Sequence, residues 1–530
     1  VRVRGADSVC EGLSHPNLTV RRTGDFVRPR KWIQLSGLGQ SHDLGVHNPT
    51  ISVLERSLLE RVFYCEVKPG EFKPALGSSP LEWSEMDAFA RLLDKFNGRY
   101  WKPQTATEVV DYYHGAKRQV YEVARLDLVR EPTLQKRDCR SVVFAKFEKA
   151  NLSKAPRAIQ PRDPRYNVLV GKYIKQIEHR IYRSIAKAFN VENGGEGSTV
   201  IKGFNVEQTA AILHAKWESF ANPICIGLDA KKFDMHVSTP ALRFEHAVYL
   251  KMFRNDPKLE RLLKHQIHNN GRGYCADGDL KFKIEGVRFS GDMNTALGNC
   301  LIMCALVWTW AKRVGVKIKL ANNGDDCVVF LEKGDEQDFV GGLEEWFASK
   351  GFRMDVEATV TDFEAVEFCQ SHPVWNGTNF VMCRSVPNVL IKDSMCLVPA
   401  NTPREIEQWC AAIGMCGGSL SKGVPVMQSF YRCLRRCGQG RKPSKGLMQS
   451  IYKNSGQFER MKSLSYDVRE IGARERYSFW IATGITPCLQ LELEKYYDGY
   501  NLTTTVSKEV SAVQIKDTTY IEFPQDKYLA

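Results

Sequence analysis

The sequence has no long apolar run. Its longest, "CLIMCALVWTWA" at residues 300–311, ends at Lys312 and Arg313. A helix that crosses a bilayer needs about 20 apolar residues, so this run is too short to span one. Residues 1–30 hold no apolar core segment, and no secretory signal is expected. Paired CxxC spacing is also missing. The 16 cysteines are scattered, and Cys225, Cys300, Cys304 and Cys327 sit inside apolar runs. That pattern predicts buried, reduced thiols in a cytosolic setting, not a disulfide framework. His265, His268 and Cys275 have loosely zinc-like spacing, but no fourth ligand accompanies them. The sequence shows no internal repeat and no low-complexity tract.

What is present fits a globular chain of two or three subdomains: 530 residues, 43% apolar and 25% charged. It begins at Val1, not Met, consistent with a processed product or the later part of a longer polypeptide. The formal charge of +13 is uneven. Residues 134–190 hold fourteen Lys/Arg against four Asp/Glu, and residues 431–463 hold nine against one. Basic segments on an otherwise acidic chain point to a polyanionic partner, most simply nucleic acid.

Helical patterning is predicted at 82–97, 105–125, 171–189, 241–268 and 336–349, and over most of 400–497. The stretch 151–170, "NLSKAPRAIQPRDPRYNVLV", has three prolines and reads as extended or loop-like chain. "PICIGLD" at 223–229 reads as a buried strand ending at Asp229, and 289–303 as a loop that becomes a helix. "VKIKLA" and "CVVFLE" flank a five-residue turn and predict a hairpin. A second hairpin is predicted at 364–384, turned by Asn376-Gly377. The last 30 residues look β-like or loose.

Four elements carry chemistry. Gly324-Asp325-Asp326 places two adjacent carboxylates in the first hairpin turn, and Asp229 ends a strand about a hundred residues earlier. Carboxylates converging on one point repel unless cations neutralise them. Oxygen ligands of this kind suit Mg²⁺, and two such ions would activate a hydroxyl and stabilise a leaving pyrophosphate. Asp234, five residues after Asp229, could turn towards a substrate sugar. Ser290 and Gly291 precede Thr295 and Asn299, which share a helix face. Beside Asp234 they make a polar cluster able to bind a ribose 2′-OH. Finally, Lys154, Arg157, Arg162 and Arg165 lie on the proline-rich stretch, where guanidinium groups can bind phosphates and Ile159 can pack above a base.

These motifs, in this order, resemble those of the viral RNA-dependent RNA polymerases of the tombusvirus and carmovirus type. The pattern Asp-x4-Asp is matched by Asp229 and Asp234. Ser-Gly-x3-Thr-x3-Asn is matched by Ser290, Gly291, Thr295 and Asn299, and the Gly-Asp-Asp turn by residues 324–326. The finger motif is matched by Lys154 to Asn167. The resemblance implies an α+β fold: a closed right hand whose palm is an antiparallel sheet backed by helices. Its parts would be an N-terminal region and fingers at 1–220, palm at 221–240, fingers at 241–285, palm at 286–385, a mainly helical thumb at 386–500 and a tail at 501–530. By the same resemblance, Asp229 and Asp325 are the main metal ligands and Asp326 a secondary one, holding two Mg²⁺, with Mn²⁺ able to substitute. Asp234 and Asn299, with Ser290 or Thr295, select ribonucleotides. Lys154, Arg157 and Arg162 hold the incoming triphosphate. Cys369-Gln370-Ser371 supports the nascent 3′ end, and Lys350 or Arg353 protonates pyrophosphate. Arg435, Arg436, Arg441 and Lys442 lie in the thumb near RNA.

The implied partners are RNA template and product, NTPs, other viral replication proteins and host factors. The implied setting is the host cytoplasm, in membrane-bound replication complexes reached through an upstream region or a partner. Initiation without a primer is common in the family. Two other readings remain at this point: a palm polymerase that uses dNTPs, and a non-enzymatic RNA-binding scaffold.

Overall fold

The computed structural model describes the chain except residues 40, 42, 99, 194–196, 445, 449, 451–463, 503–508 and 511–530. The central element is a four-stranded antiparallel sheet. Its members are β4 (Pro223–Ala230), β7 (Ile318–Asn323), β8 (Asp326–Glu332) and β9 (Met354–Val356), in the order β7-β8-β4-β9. "PICIGL" and "CVVFL" read as unbroken apolar runs because both faces of this sheet are covered. Ile224, Ile226, Leu228, Cys327, Val329 and Leu331 join one core, while Cys225, Val328 and Phe330 join another. Period-2 alternation sends neighbouring residues to opposite faces.

The first core is filled by α2 (Pro164–Asn193), α4 (Thr239–Met252) and α5 (Thr295–Val314). In α5 every residue from Leu297 to Ala311 is buried. The twelve-residue apolar run is therefore a core helix, apolar all round because protein surrounds it. Among the described residues no helix is long and apolar enough to cross a membrane. The second core holds α3 (Val206–Trp217), the hairpin of β10 (Ser371–Trp375) and β11 (Phe380–Arg384), and the C-terminal helices Pro403–Leu420, Met427–Cys437 and Pro487–Gly499.

A five-stranded sheet flanks the centre. It contains β1 (Leu18–Arg22), β2 (Ser141–Ala145), β3 (Ala158–Ile159), β5 (His268–Cys275) and β6 (Gly278–Glu285), in the order β1-β6-β5-β2-β3. Its inner face packs on α1 (Ile51–Leu58). The N-terminal segment also ties to the C-terminal helices. Tyr497 donates to the Leu38 carbonyl at 2.8 Å, and Tyr496 and Tyr500 donate to the carbonyls of Gly37 and Ser36.

The structure amends several sequence expectations. The stretch 151–170 is extended only up to Asp163, because Pro164 opens α2; proline suits a helix's first turn, where its missing N–H costs nothing. The segment 241–268 is two helices, Thr239–Met252 and Pro257–Ile267. The segment 336–349 is likewise two, Glu336–Val340 and Leu343–Ser349. The hairpin β5–β6 was not foreseen, since its apolar members alternate with glycines and charges. It contains His268 and Cys275, and His268 Nδ1 lies 2.9 Å from Glu285. All sixteen cysteines are free, as expected. The second hairpin begins at Ser371, not 364, and Gly377 (φ +92) carries its turn while the Asn376 side chain accepts from the Thr378 and Asn379 N–H groups. Residues 445, 449 and 451–463 of the basic segment 431–463, and most of the tail 501–530, fall outside the described residues.

Candidate active site

The turn between β7 and β8 is tighter than expected. Asn323 pairs with Asp326, so only Gly324 and Asp325 form the loop. Gly324 takes φ +83, while Asp325 is absent from the positive-φ residues, the pattern of a type II′ hairpin. The Asn322 side chain braces the loop, donating to the Gly324 carbonyl at 2.7 Å and accepting from its N–H.

Across the sheet Asp229 is the register partner of Asp326 on one side and of Asp355 on the other. Directly opposed residues have Cβ atoms roughly 4.5–5.5 Å apart and project to the same face. The crowding shows in the acidities. Desolvation, then Asp355 and Asp325, push the Asp229 carboxyl up. Burial pushes Asp326 up to about 6; Asp325 adds to this, while the Cys369 N–H, donating to the carboxylate, opposes it. Glu357, beyond β9, is raised by burial, then by Glu367, Asp229 and Asp326. All of these donors are oxygens, the set preferred by a hard divalent cation. Among the described residues, no three His, Cys, Asp or Glu side chains converge into a ready-made metal cage. The oxygen-only donors fit a hard divalent cation that keeps part of its water shell.

Beside this cluster, Asn299 Nδ2 donates to Asp234 Oδ1 at 2.7 Å. The Asn299 Oδ1 accepts from Arg288 Nε at 3.0 Å, which fixes which way the amide faces. Arg288 in turn is ion-paired with Glu245, both side chains being fully buried. Glu245 also accepts from Tyr249 at 2.8 Å and from Asn294. The backbone helps: the N–H groups of Val287 and Arg288 donate to the carbonyls of Val237 and Asp234, each at 2.8 Å. Val287 holds φ +66 to do so, a rare conformation for a β-branched residue. Arg288 and Glu245 were missed in the sequence. A lone arginine between Val287 and Phe289 was the available signal, but nothing in the sequence named its partner.

The proline-rich stretch docks on the Ser-Gly loop. Ser290 donates from both its N–H and its hydroxyl to Gln160 Oε1, at 3.1 and 2.7 Å. Pro161 bridges to Gly291, and a Cβ at Gly291 would lie 2.4 Å from the Gln160 carbonyl oxygen. Only glycine permits that approach. Thr295 donates its hydroxyl to the Phe289 carbonyl at 2.6 Å, closing the start of α5.

Arg157 and Lys154 are exposed, and Arg157 lies 3.5 Å from Glu148. Ile159 is the register partner of Phe144. Arg162 differs from expectation. It is fully buried, ion-paired with Asp292, and donates to the Cys139 carbonyl at 2.7 Å and to Asn269 at 2.6 Å. Its Nε, Nη1 and Nη2 are all engaged, so contact with a triphosphate is replaced by a role in holding the loops together. Arg165 is similar, donating to the carbonyls of Glu131 and Thr133. Lys350 is also buried, 2.7 Å from Glu85 and over the Trp346 ring, which removes it as an open proton donor. Arg353 donates to the Pro74 carbonyl at 3.2 Å. Arg436 and Arg441 are engaged too, with the carbonyls of Tyr497 and Tyr500 and with Glu407.

The structure thus brings together paired carboxylates on a hairpin and a strand end and, near them, the Asp234–Asn299 pair. The chain belongs to the viral RNA-dependent RNA polymerases: the family described as viral RNA dependent RNA polymerase matches residues 18–505. Within that family it is similar to the RNA-directed RNA polymerases of plant viruses of the tombusvirus and carmovirus type, as the motif resemblance implied. It is 40% identical over 512 residues to that of tobacco necrosis virus strain A, covering 93% of this chain and 67% of the relative. To that of melon necrotic spot virus it is 39% identical over 493 residues, 92% of this chain and 61% of the relative. To that of turnip crinkle virus it is 38% identical over 493 residues, 92% and 62%. The chain thus spans between three fifths and two thirds of the length of these relatives.

Proposed function

We propose that the chain copies a positive-strand plant-virus RNA genome, adding nucleotides from NTPs to the 3′ end of a growing RNA. The observation that carries this reading is the opposition of Asp229 and Asp326 across the sheet, with Asp325 in the turn beside them. In the reaction the RNA 3′-hydroxyl gives its proton to solvent, its oxygen bonds the α-phosphorus of the NTP, and the bond from that phosphorus to the bridging oxygen breaks, releasing pyrophosphate. Asp229 and Asp325 would hold Mg²⁺, with Asp326 beside them. When bound, Mg²⁺, or Mn²⁺ in its place, supplies the positive charge that activates the hydroxyl and steadies the leaving pyrophosphate.

The remaining work is positioning and charge stabilisation by the chain itself. Lys154 and Arg157 bind the triphosphate, and Ile159 packs on the base pair being formed. Asp234, oriented by Asn299, receives the ribose 2′-OH. Cys369-Gln370-Ser371 supports the nascent 3′ end, and the donation of the Cys369 N–H to Asp326 ties that loop to the carboxylates. In hand terms, the five-stranded sheet and proline-rich stretch are fingers, the four-stranded sheet with α5 is palm, and the helices after residue 400 are thumb. Initiation without a primer, work beside other viral and host proteins, and a place in membrane-bound complexes of the host cytoplasm complete the reading.

Neither rival reading explains as much. A scaffold gains nothing from crowding carboxylates beside an anionic ligand, and a dNTP enzyme gains nothing from a polar partner at the 2′ position. The test is incorporation of labelled NTPs by the purified chain on an RNA template, with and without Mg²⁺ and with dNTPs in parallel. Template-dependent, Mg²⁺-dependent incorporation that favours NTPs supports the proposal; RNA binding without incorporation would overturn it.

A further inference from the structure

With Arg162 taken up by Asp292, the proline-rich stretch keeps two cations for a triphosphate, Lys154 and Arg157. A third stands close by on a different element. The helix α1 does not stop at Leu58 but runs into a π-helical turn, Leu59–Phe63. Such single turns are rare and recur at functional sites; the wider turn rotates side chains away from where a regular helix would put them.

Both sides of this turn are pinned to the site. On one side Lys232, which lies between Asp229 and Asp234 in sequence, donates its ammonium to the Glu60 carbonyl at 2.5 Å. On the other, Arg61 Nε donates to the Ala155 carbonyl at 3.0 Å. Arg56, five residues earlier, donates to the Ser153 carbonyl at 3.1 Å and pairs with Glu60 at 2.9 Å. Lys154 sits between the two carbonyls so held. Arg157 follows two residues after Ala155, and its carbonyl accepts from the Lys146 N–H at 2.8 Å. Arg61 therefore stands between the turn that carries Asp234 and the stretch that carries Lys154 and Arg157.

The guanidinium is only partly used. Arg61 is half-buried, and among the described residues it forms no ion pair and its Nη1 and Nη2 have no hydrogen-bond partner. Neither nitrogen is sealed away from solvent. The charges around it are those of the site: burial and then the like charge of Arg157 disfavour its charged form, while Glu148, Glu60 and Asp234 support it. Glu148 is already shared by Lys146 at 2.7 Å and Arg157 at 3.5 Å. Two guanidinium groups that repel each other are relieved by an anion placed between them.

We propose that Arg61 is a third phosphate-binding residue, its free Nη pair holding the triphosphate of the incoming NTP beside Lys154 and Arg157. Guanidinium groups bind phosphate oxygens in forked pairs. Arg61 gives up no proton; it supplies charge and position. Through the Glu60 carbonyl and Lys232, the same turn that holds the phosphates is tied to the one that holds Asp234. This inference rests on the polymerase reading for its ligand.

The experiment measures RNA-templated incorporation over a range of NTP concentrations for wild type, Arg61→Gln and Arg61→Lys, with a melting temperature for each. Gln keeps a donor for the Ala155 carbonyl and loses the charge; Lys keeps the charge. Arg61→Gln should raise KM for NTP by about ten-fold or more, the scale of one lost hydrogen bond to a charged group. Arg61→Lys should recover part of that loss, and template RNA affinity, read by anisotropy, should be equal in all three. A wild-type KM in folded Arg61→Gln would overturn the assignment. Equal loss in both variants would overturn it too, because Arg61 would then only brace the loop. A second measurement needs no variant: phenylglyoxal labelling of wild type bound to template RNA, followed by mass spectrometry. Saturating NTP should protect Arg61, and labelling unchanged by NTP would overturn the assignment. Absence of incorporation by wild type would sink the polymerase reading, whereas incorporation with an unaltered KM in Arg61→Gln would sink this assignment alone.

Discussion

Asn299 hands one amide proton to Asp234 at 2.7 Å while its oxygen is held by Arg288 at 3.0 Å. The carboxylate proposed to receive the sugar is thereby oriented by a side chain that cannot flip without losing two bonds. Asp234→Ala removes the acceptor for a 2′-OH. The expected result is a loss of preference for NTP over dNTP by ten-fold or more, since a lost hydrogen bond to a charged group is worth about 1.5–3 kcal/mol. Steady-state incorporation with each sugar checks it, and unchanged discrimination would remove Asp234 from this role.

Arg162 and Asp292 form a buried ion pair that joins the proline-rich stretch to the Ser-Gly loop. Breaking such a pair leaves one charge buried and alone. Asp292→Ala should therefore destabilise the fold by about 3–5 kcal/mol. The measurement is chemical denaturation. A stability loss under 1 kcal/mol would mean that the guanidinium finds water or another partner.

Gly291→Ala tests the contact between the same two loops from the backbone side. The new methyl would meet the Gln160 carbonyl and the Pro161 Cα, at 2.4 and 2.5 Å, and neither backbone can swing away. Overpacking of this kind costs about 1–3 kcal/mol. Incorporation should fall with it, because Ser290 is drawn off Gln160. A variant as stable and as active as wild type would show that the loops are looser than this contact implies.

Stability should fall on the acid side. Burial alone would raise the Glu245 carboxyl, but Arg288, then His246 and Asn294, outweigh it and hold it below its ordinary 4.5. His246 is held below 6.5 chiefly by burial, against the pull of Glu245. In both cases the unfolded chain binds protons at a higher pH than the folded one, so stability rises with pH through each window. Stability from these groups is complete above about pH 6.5. It declines first as His246 must charge and again below 4.5. Melting temperatures across pH 4–8 check this, and Glu245→Gln should flatten the lower part of the curve.

Much of the site was legible because its spacing is local. Asp229 and Asp234 share one strand end, Thr295 and Asn299 one helix face, and Gly324 to Asp326 one turn. The structure puts Asp229 near a strand end and Asp234 in the helical turn Phe233–His236 that follows, shortens the turn so that Asp326 already lies in β8, and brings Asp234 to Asn299. What failed involved partners distant in sequence. Arg162 looked like a phosphate ligand because nothing in its neighbourhood shows Asp292, 130 residues away, closing on it. Lys350 looked available until Glu85 came within 2.7 Å. The sheet β1-β6-β5-β2-β3 escaped notice because its strands mix glycine, charge and aromatic residues, and Val142, Phe144 and Tyr274 on one face are exposed. A buried arginine and a bare strand look alike in a sequence; only the fold separates them.

The most direct test of the central claim is RNA-templated NTP incorporation by Asp325→Asn beside wild type over a range of Mg²⁺, with melting temperature measured for both. The substitution keeps shape and removes one ligand charge. The account predicts a fall of about a thousand-fold or more, the scale of losing one key charge-stabilising group, with the melting temperature unchanged or raised as carboxylate repulsion is relieved. Incorporation at the wild-type rate would contradict it.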